Sequence, residues 1–208
     1  MDLQSSTEVV NFEDIASSDL RAGSIYEGDP SGAISGEPIS QMFRCGNMGG
    51  FRFVGRKSTP RAVILFTTFQ EPEWPDELVP ETGEFVYFGD NRTAGRDIHA
   101  PYGNQFLTRA FDAAGRAARE EIPPIFVFTA AGQGLPSRSV RFAGLAVPGK
   151  EAMPASEWLT EVEGTGFRNY RAVFTILDDN VVARRWMDTL SEAVSYTHLR
   201  AHETPLHR

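Results

Sequence analysis

The chain has 208 residues, 41% of them apolar and 11% aromatic, with a formal net charge of −8. That length and composition support a sizeable buried core and exclude a disordered chain. There is no 18-residue apolar stretch to span a membrane, the N-terminus lacks the basic and apolar regions of a secretory leader, and the lone Cys45 excludes a disulfide framework or a thiolate metal site, so a cytoplasmic protein is expected.

Residues 1–40 read as an acidic lead-in, with a short helical element at Phe12–Ala16 and a Gly/Ser/Pro-rich loop through Pro38. Met42–Arg44 and Phe51–Val54 read as strands around Gly46-Asn47-Met48-Gly49-Gly50, a hairpin signal. Ala62–Phe69 is a continuous apolar run, hence a buried strand, and Gln70–Thr82 holds three prolines and reads as a loop. Phe85–Phe88 predicts a strand. Asn104–Glu121 predicts a helix with Leu107, Ala110, Phe111, Ala114 and Ala118 on one face, stopped by Pro123-Pro124. Strands follow at Pro124–Thr129 and Val140–Val147, then a short helix at Glu157–Val162 and a strand at Tyr170–Leu177. A last helix at Asn180–Val194 turns Trp186 and Leu190 inward. Many short strands with few helices suit an α+β fold built on a curved or barrel-like sheet.

The final fourteen residues, Ser195–Arg208, carry three of the four histidines without periodicity and resemble translated sequencing-adapter read-through, with a His-rich metal tail as the alternative. On the first reading they are foreign to the native protein, which is then expected to continue beyond Val194.

Charge is unevenly distributed. Residues 1–30 hold seven acids against one arginine, whereas Ala130–Lys150 has no acid and contains Arg138, Arg141 and Lys150. A polyanion responds to local field, so DNA binding is compatible with the acidic average. Enzyme signatures are weak by comparison. No Gly-x-Gly-x-x-Gly opens a helix, and no Walker sequence or Gly-x-Ser-x-Gly elbow occurs. Cys45 and an Asp90/His99 pair are the only nucleophile or acid–base alternatives, and no catalytic residue is assigned.

Capture of an extrahelical base fits the residues better. It needs flat side chains to stack the base, an acceptor for its polar edge and cations for the backbone. Trp74, Tyr87 and Tyr102 are the flat candidates, and Asp76 or Asp90 can accept from a cytosine amine. Arg92 and Arg96, with Arg138 and Arg141, can hold phosphates or a groove, and Asn91, Asn104 and Gln105 can meet base edges. Each has a plainer reading as well: Trp74 and Tyr87 as core, Asp90-Asn91 as turn chemistry, His99 as a structural hydrogen-bonder. If the aromatic residues are only core, the chain is an effector- or protein-binding β-domain.

The segments Trp74-Pro75-Asp76-Glu77-Leu78, Thr82-Gly83-Glu84-Phe85, Tyr87-Phe88-Gly89-Asp90-Asn91-Arg92, Gly95, His99 and Gly103-Asn104 resemble the N-terminal domain of AspBHI-like restriction endonucleases, of the MspJI-type modification-dependent group. Phe167–Ala172, Leu177-Asp178 and Arg185-Trp186 extend the resemblance, which spans roughly residues 40–190. It implies an SRA-like curved β-barrel or sheet over residues 41–194 that flips 5-methylcytosine or 5-hydroxymethylcytosine out of duplex DNA. On this basis Trp74, Asp76, Tyr87, Asp90 and Tyr102 form the modified-base pocket. Asn91, Arg92, Arg96, His99, Asn104, Gln105, Arg138 and Arg141 contact DNA. The resemblance also implies a bacterial cytoplasmic location, no cofactor in this chain, a separate C-terminal nuclease domain using a divalent metal such as Mg2+, and a parent that can be homo-oligomeric. Ala94 and Ala100-Pro101 depart from the family pattern in the loop after the Gly-Asp-Asn-Arg cluster.

Overall fold

The computed structural model describes residues 7–164, 166–178 and 181–192. Its strands are β1 (Val9–Val10), β2 (Leu20–Arg21), β3 (Ile25–Tyr26), β4 (Phe51–Arg56), β5 (Thr59–Thr67), β6 (Glu77–Val79), β7 (Glu84–Phe88), β8 (Ile125–Ala130), β9 (Val140–Pro148), β10 (Leu159–Glu163), β11 (Arg168–Ile176) and β12 (Val181–Val182). The helices are α1 (Pro38–Phe43), α2 (Tyr102–Gly115), the single turn α3 (Ala155–Trp158) and α4 (Arg184–Glu192).

Ten strands form one mixed sheet along the path β4-β5-β8-β9-β11-β7-β6, with β1 and β3 added beside β9 and β10 beside β11; β2 and β12 pair separately. In β5 and β8, successive apolar side chains point to opposite faces, and both faces are covered. Ala62, Ile64, Phe126 and Phe128 join Ile39, Met42, Phe43 and Met187 of α1 and α4. Val63, Leu65, Ile125 and Val127 join Phe106, Leu107, Ala110 and Phe111 of α2. These alternations explain why the two strands read as unbroken apolar runs.

The sheet is strongly curved. Five ladder steps separate β4 from β7, about 24 Å in a flat sheet at ~4.8 Å per step. Phe51 of β4 nevertheless packs edge-on against Tyr87 of β7, with ring centroids 5.1 Å apart. Bulges at Val54/Gly55 and Val127/Phe128 add local bend. The α+β fold expected from sequence is therefore present, as an open curved sheet: among the described residues no ladder joins β4 to β6.

Several elements differ from expectation. Met42–Arg44 is the end of α1, not a strand. Pro38 opens that helix, the Glu37 side chain accepts from Ser40 N–H, and Arg44 closes it in the left-handed region at φ 50°. β4 pairs instead with β5 through a hairpin at Arg56/Thr59. The proline-rich loop contains the three-residue β6. Helix α2 begins at Tyr102 and stops at Gly115, so Ala118 lies beyond it, and Ala113 is buried on its inner face. Glu157–Val162 is one helical turn followed by strand β10, which pairs antiparallel with β11. In α4, Met187 is fully buried while Trp186 is 38% exposed. The expected foreign tail at Ser195–Arg208 lies outside the described residues.

Candidate functional site

The curvature opens a cleft of about 1100 Å³ where β5, β7 and β8 end. Its walls come from the loop before β4, the ends of β5 and β7, the proline-rich loop and the long β8–β9 connection. Of the residues singled out from sequence, Trp74, Asp76, Tyr87, Asp90, Arg92 and Arg138 all reach this cleft.

Asp76 is its most distinctive group. The carboxylate accepts from the Phe88 backbone N–H at 3.0 Å and from the Thr67 hydroxyl. Burial pushes its pKa up to about 6, the hydrogen bonds from Thr67 and Phe88 only partly opposing the shift. A desolvated acceptor held at the end of a strand is suited to meeting a donor on a ligand.

Tyr87 and Trp74 line the same cleft but are 3% and 5% exposed. The Tyr87 hydroxyl donates to the Phe66 carbonyl at 3.1 Å, and burial raises its pKa well above the usual phenol range. Trp74 packs between Phe88 and Phe167, with centroids 5.6 and 5.7 Å away, and its indole N–H is buried without a hydrogen-bond partner. Neither ring presents an open face, so a flat guest requires these rings to shift. Gly50 sits directly against Tyr87: a Cβ there would lie 2.2 Å from the hydroxyl oxygen and 3.4 Å from the ring carbon bearing it. Gly50→Ala is therefore expected to destabilise the protein by roughly 1–3 kcal/mol, as overpacking does. Adding Tyr87→Phe should restore part of that loss, because the clashing hydroxyl is then gone while the Phe66 carbonyl oxygen stays 3.1 Å from the added carbon. Urea titrations of the two single variants and the double variant check this, and simple additivity would refute the contact.

The Gly-Asp-Asn-Arg cluster forms a buried polar knot. Asn169 Oδ1 accepts from Asn104 Nδ2 at 3.2 Å and from the Asn91 N–H, while Asn169 Nδ2 donates to the Gly89 carbonyl at 2.8 Å. Asn104 Oδ1 accepts from the Asp90 N–H at 2.9 Å, and both Asp90 carboxylate oxygens accept from the first amides of α2, at Gly103 and Asn104. A Cβ at Gly89 would lie 2.0 Å from Asn104 Oδ1, so only glycine fits. Asn91 and Asn104 are fully buried in this knot and do not line the cleft; Asp90 lines it with its oxygens already engaged.

The other expected contacts are not brought to the cleft. Tyr102 stands 47% exposed on α2 beneath the Lys57 ammonium, 5.1 Å from its ring centroid. Gln105 donates to the Ala100 carbonyl, and His99 Nδ1 lies 3.3 Å from the Tyr170 hydroxyl. Arg96 is exposed elsewhere, and Arg141 donates to the Gly23 carbonyl at 2.6 Å. On the rim, Arg92 pairs with Glu71, and Arg138 lies in the β8–β9 connection with φ 68°.

Sequence reasoning missed an ion pair in the cleft wall. Glu37 and Arg52 meet at 2.5 Å with only 4% of each side chain exposed, and the Arg52 guanidinium lies over the Phe66 ring at 5.0 Å. No local signal links a helix cap to a strand residue fifteen positions later. The enzyme alternatives gain nothing from the geometry. Burial pushes the Cys45 thiol up to about 11, against thiolate formation, and His99 faces Tyr170 rather than Asp90. Among the described residues no group of three or more His, Cys, Asp or Glu is placed to hold a metal ion, and no helix is long and apolar enough to cross a membrane.

No curated protein matches the chain. Among solved structures it is similar to the DNA recognition domain of the cytosine modification-dependent restriction endonuclease LpnPI, at 38% identity over 89% of this chain and 86% of that one, with a TM-score of 0.82. It is equally similar to the DNA modification-dependent restriction endonuclease AspBHI, at 39% identity, 88% and 87% coverage and a TM-score of 0.80. With the MspJI restriction endonuclease in complex with a 27-mer oligonucleotide it shares the fold, at 24% identity, 64% of this chain, 33% of that chain and a TM-score of 0.50. The family described as restriction endonuclease AspBHI N-terminal matches residues 20–204, and the chain belongs to that family.

Proposed function

We propose that this chain is a DNA-recognition domain of a modification-dependent restriction endonuclease and holds an extruded 5-methylcytosine or 5-hydroxymethylcytosine in the cleft at the ends of β5, β7 and β8. The observation that carries this is the desolvated Asp76 acceptor, set in a cleft whose walls include Trp74 and Tyr87. A cytosine edge offers an exocyclic amine as donor, which an ionised carboxylate accepts. Arg92 and Arg138 on the rim suit the phosphates flanking an extruded nucleotide. The modification is sensed by apolar contact, worth about 0.8 kcal/mol per buried carbon.

The recognition unit in this reading takes in the acidic lead-in as well as residue 41 onwards, because β1 and β3 belong to the same sheet and Ile15, Leu20, Tyr26 and Ile39 to its core. Strand cleavage belongs to a separate nuclease segment that uses a divalent metal, in a cytoplasmic restriction system. The reading of the chain as an effector- or protein-binding β-domain draws on the burial of Trp74 and Tyr87. It gives no account of a carboxylate desolvated in an open cleft with arginines at its rim.

The deciding measurement is binding to duplexes of one sequence, with and without a single modified cytosine, at matched salt. Tighter binding to the modified duplex is expected, by about fourfold or more for a single methyl group. Equal affinities would refute modification sensing.

A further inference from the structure

Positive charge collects on one flank of the molecule, away from the cleft, where neither the core nor the proposed base pocket uses it. Between Glu37 and Glu71 the sequence has no acid and five cations, although the whole chain is acidic. Two of the five, Arg56 and Lys57, stand exposed at the β4–β5 turn. Arg61 of the same hairpin is committed to the Leu190 and Ser191 carbonyls at the end of α4.

Helix α2 lies beside this hairpin and adds a third exposed cation. Phe106 packs on Phe51 and Phe53 of β4, and three residues on Arg109 donates to the Ser58 carbonyl at 2.6 Å. Tyr102 and Arg109 are seven positions apart and so share a face of the helix. The Lys57 ammonium sits over the exposed Tyr102 ring, which holds it by cation–π attraction. Among the described residues Arg56, Lys57 and Arg109 form no ion pair. Asp112 and Glu121, in the adjoining groove, are both engaged by Arg116. Like charges held together without counterions raise a local positive potential, which draws anions.

We infer that Arg56, Lys57 and Arg109 grip the phosphate backbone of duplex DNA at a second place, apart from the cleft. The inference rests on DNA being the partner, as proposed above, and not on base extrusion. β4 starts at the cleft with Phe51 and reaches Arg56 about 17 Å further on, at ~3.3 Å per residue. The two sites therefore meet different stretches of DNA. Contact with phosphates carries no sequence information and adds affinity for any duplex.

Salt-dependent binding of wild type, Arg56→Gln/Lys57→Gln/Arg109→Gln and Lys57→Gln to one duplex, modified and unmodified, tests this. The slope of log affinity against log salt should become shallower by about two to three in the triple variant and by about one in Lys57→Gln. At about 50 mM salt the triple variant should bind roughly tenfold or more weakly, alike on both duplexes, so the preference for modification is kept. All three side chains are exposed, so thermal unfolding should hardly move. Arg119→Gln/Arg185→Gln, which neutralises two exposed cations elsewhere, should change the slope by less than about one. An unchanged slope in the triple variant would overturn the inference, as would an equal loss per charge in the Arg119/Arg185 control. A wild type indifferent to modification would overturn the base-binding reading alone, since a slope lost in the triple variant would still support the flank. A wild type that binds no DNA would overturn both.

Discussion

Asp76→Asn is expected to abolish preference for modified cytosine while making the folded protein more stable at neutral pH. In the fold, burial raises the Asp76 pKa from 3.8 to about 6. The folded state therefore binds the proton more tightly than the unfolded chain does. By linkage, the contribution of this group to stability is greatest below about pH 4 and falls as pH rises to about 6. Above that, the ionised carboxylate is a standing penalty of about 1–3 kcal/mol, from a shift of roughly two pKa units. Asparagine removes the charge and keeps an oxygen for the Phe88 N–H. Its amide, however, presents donors to a cytosine amine that is also a donor, which should weaken binding by about 10- to 100-fold. Melting temperature against pH checks the first half: the curves of the two proteins should coincide near pH 4 and diverge by pH 7, with the variant higher. A variant less stable at pH 8 would show that the carboxylate holds the fold together instead of serving a ligand.

Breaking the Glu37–Arg52 pair should produce the largest loss of stability. Either side chain alone would be a buried charge without its counterion, and Glu37 also accepts from the Ser40 N–H at the start of α1. Removing one partner of such a pair costs about 3–5 kcal/mol. That is a large share of the 5–15 kcal/mol that typically holds a domain folded. Glu37→Ala and Arg52→Ala should each lower the urea midpoint sharply, and the double variant should be no worse than the poorer single one, since the second change removes the stranded charge. Full additivity would show that the two residues act separately. Because Arg52 also donates to the Gly49 carbonyl, Arg52→Ala should loosen the loop before β4 as well.

The parts of the fold legible in the sequence are those with a strong local cause. β5 and β8 are apolar on both faces, which leaves a continuous hydrophobic run. α2 carries a helical apolar stripe, and the prolines after Gln70 forbid regular structure over most of that loop. Short elements are ambiguous in sequence where two periodicities fit equally well. Pro38–Phe43 is six residues long, too short for a clear helical stripe, and its cap, Glu37, is not among the residue types favoured at a helix N-cap. Thr160-Glu161-Val162-Glu163 alternates along the strand it becomes, but Leu159 breaks the pattern, and edge pairing with β11 decides the matter.

The candidate site divides in the same way. Sequence alone located the segment from Trp74 to Arg92 and supplied the chemical types present in the cleft: a carboxylate, aromatic rings and arginines. Only the tertiary structure decided which of them share a space, because sheet curvature brings β4 and β5 against β7 across five and four ladder steps. It sent Asn91 and Asn104 into a knot with Asn169, residues too far apart in sequence to reveal one another; both amide nitrogens find acceptors there, while Asn91 Oδ1 is buried without a partner. It placed Tyr102 and His99 outside the cleft and left Asp76 as the desolvated acceptor within it. Residue types are local properties of a chain. Burial, and with it the energy of a charge, is set by distant segments packing together.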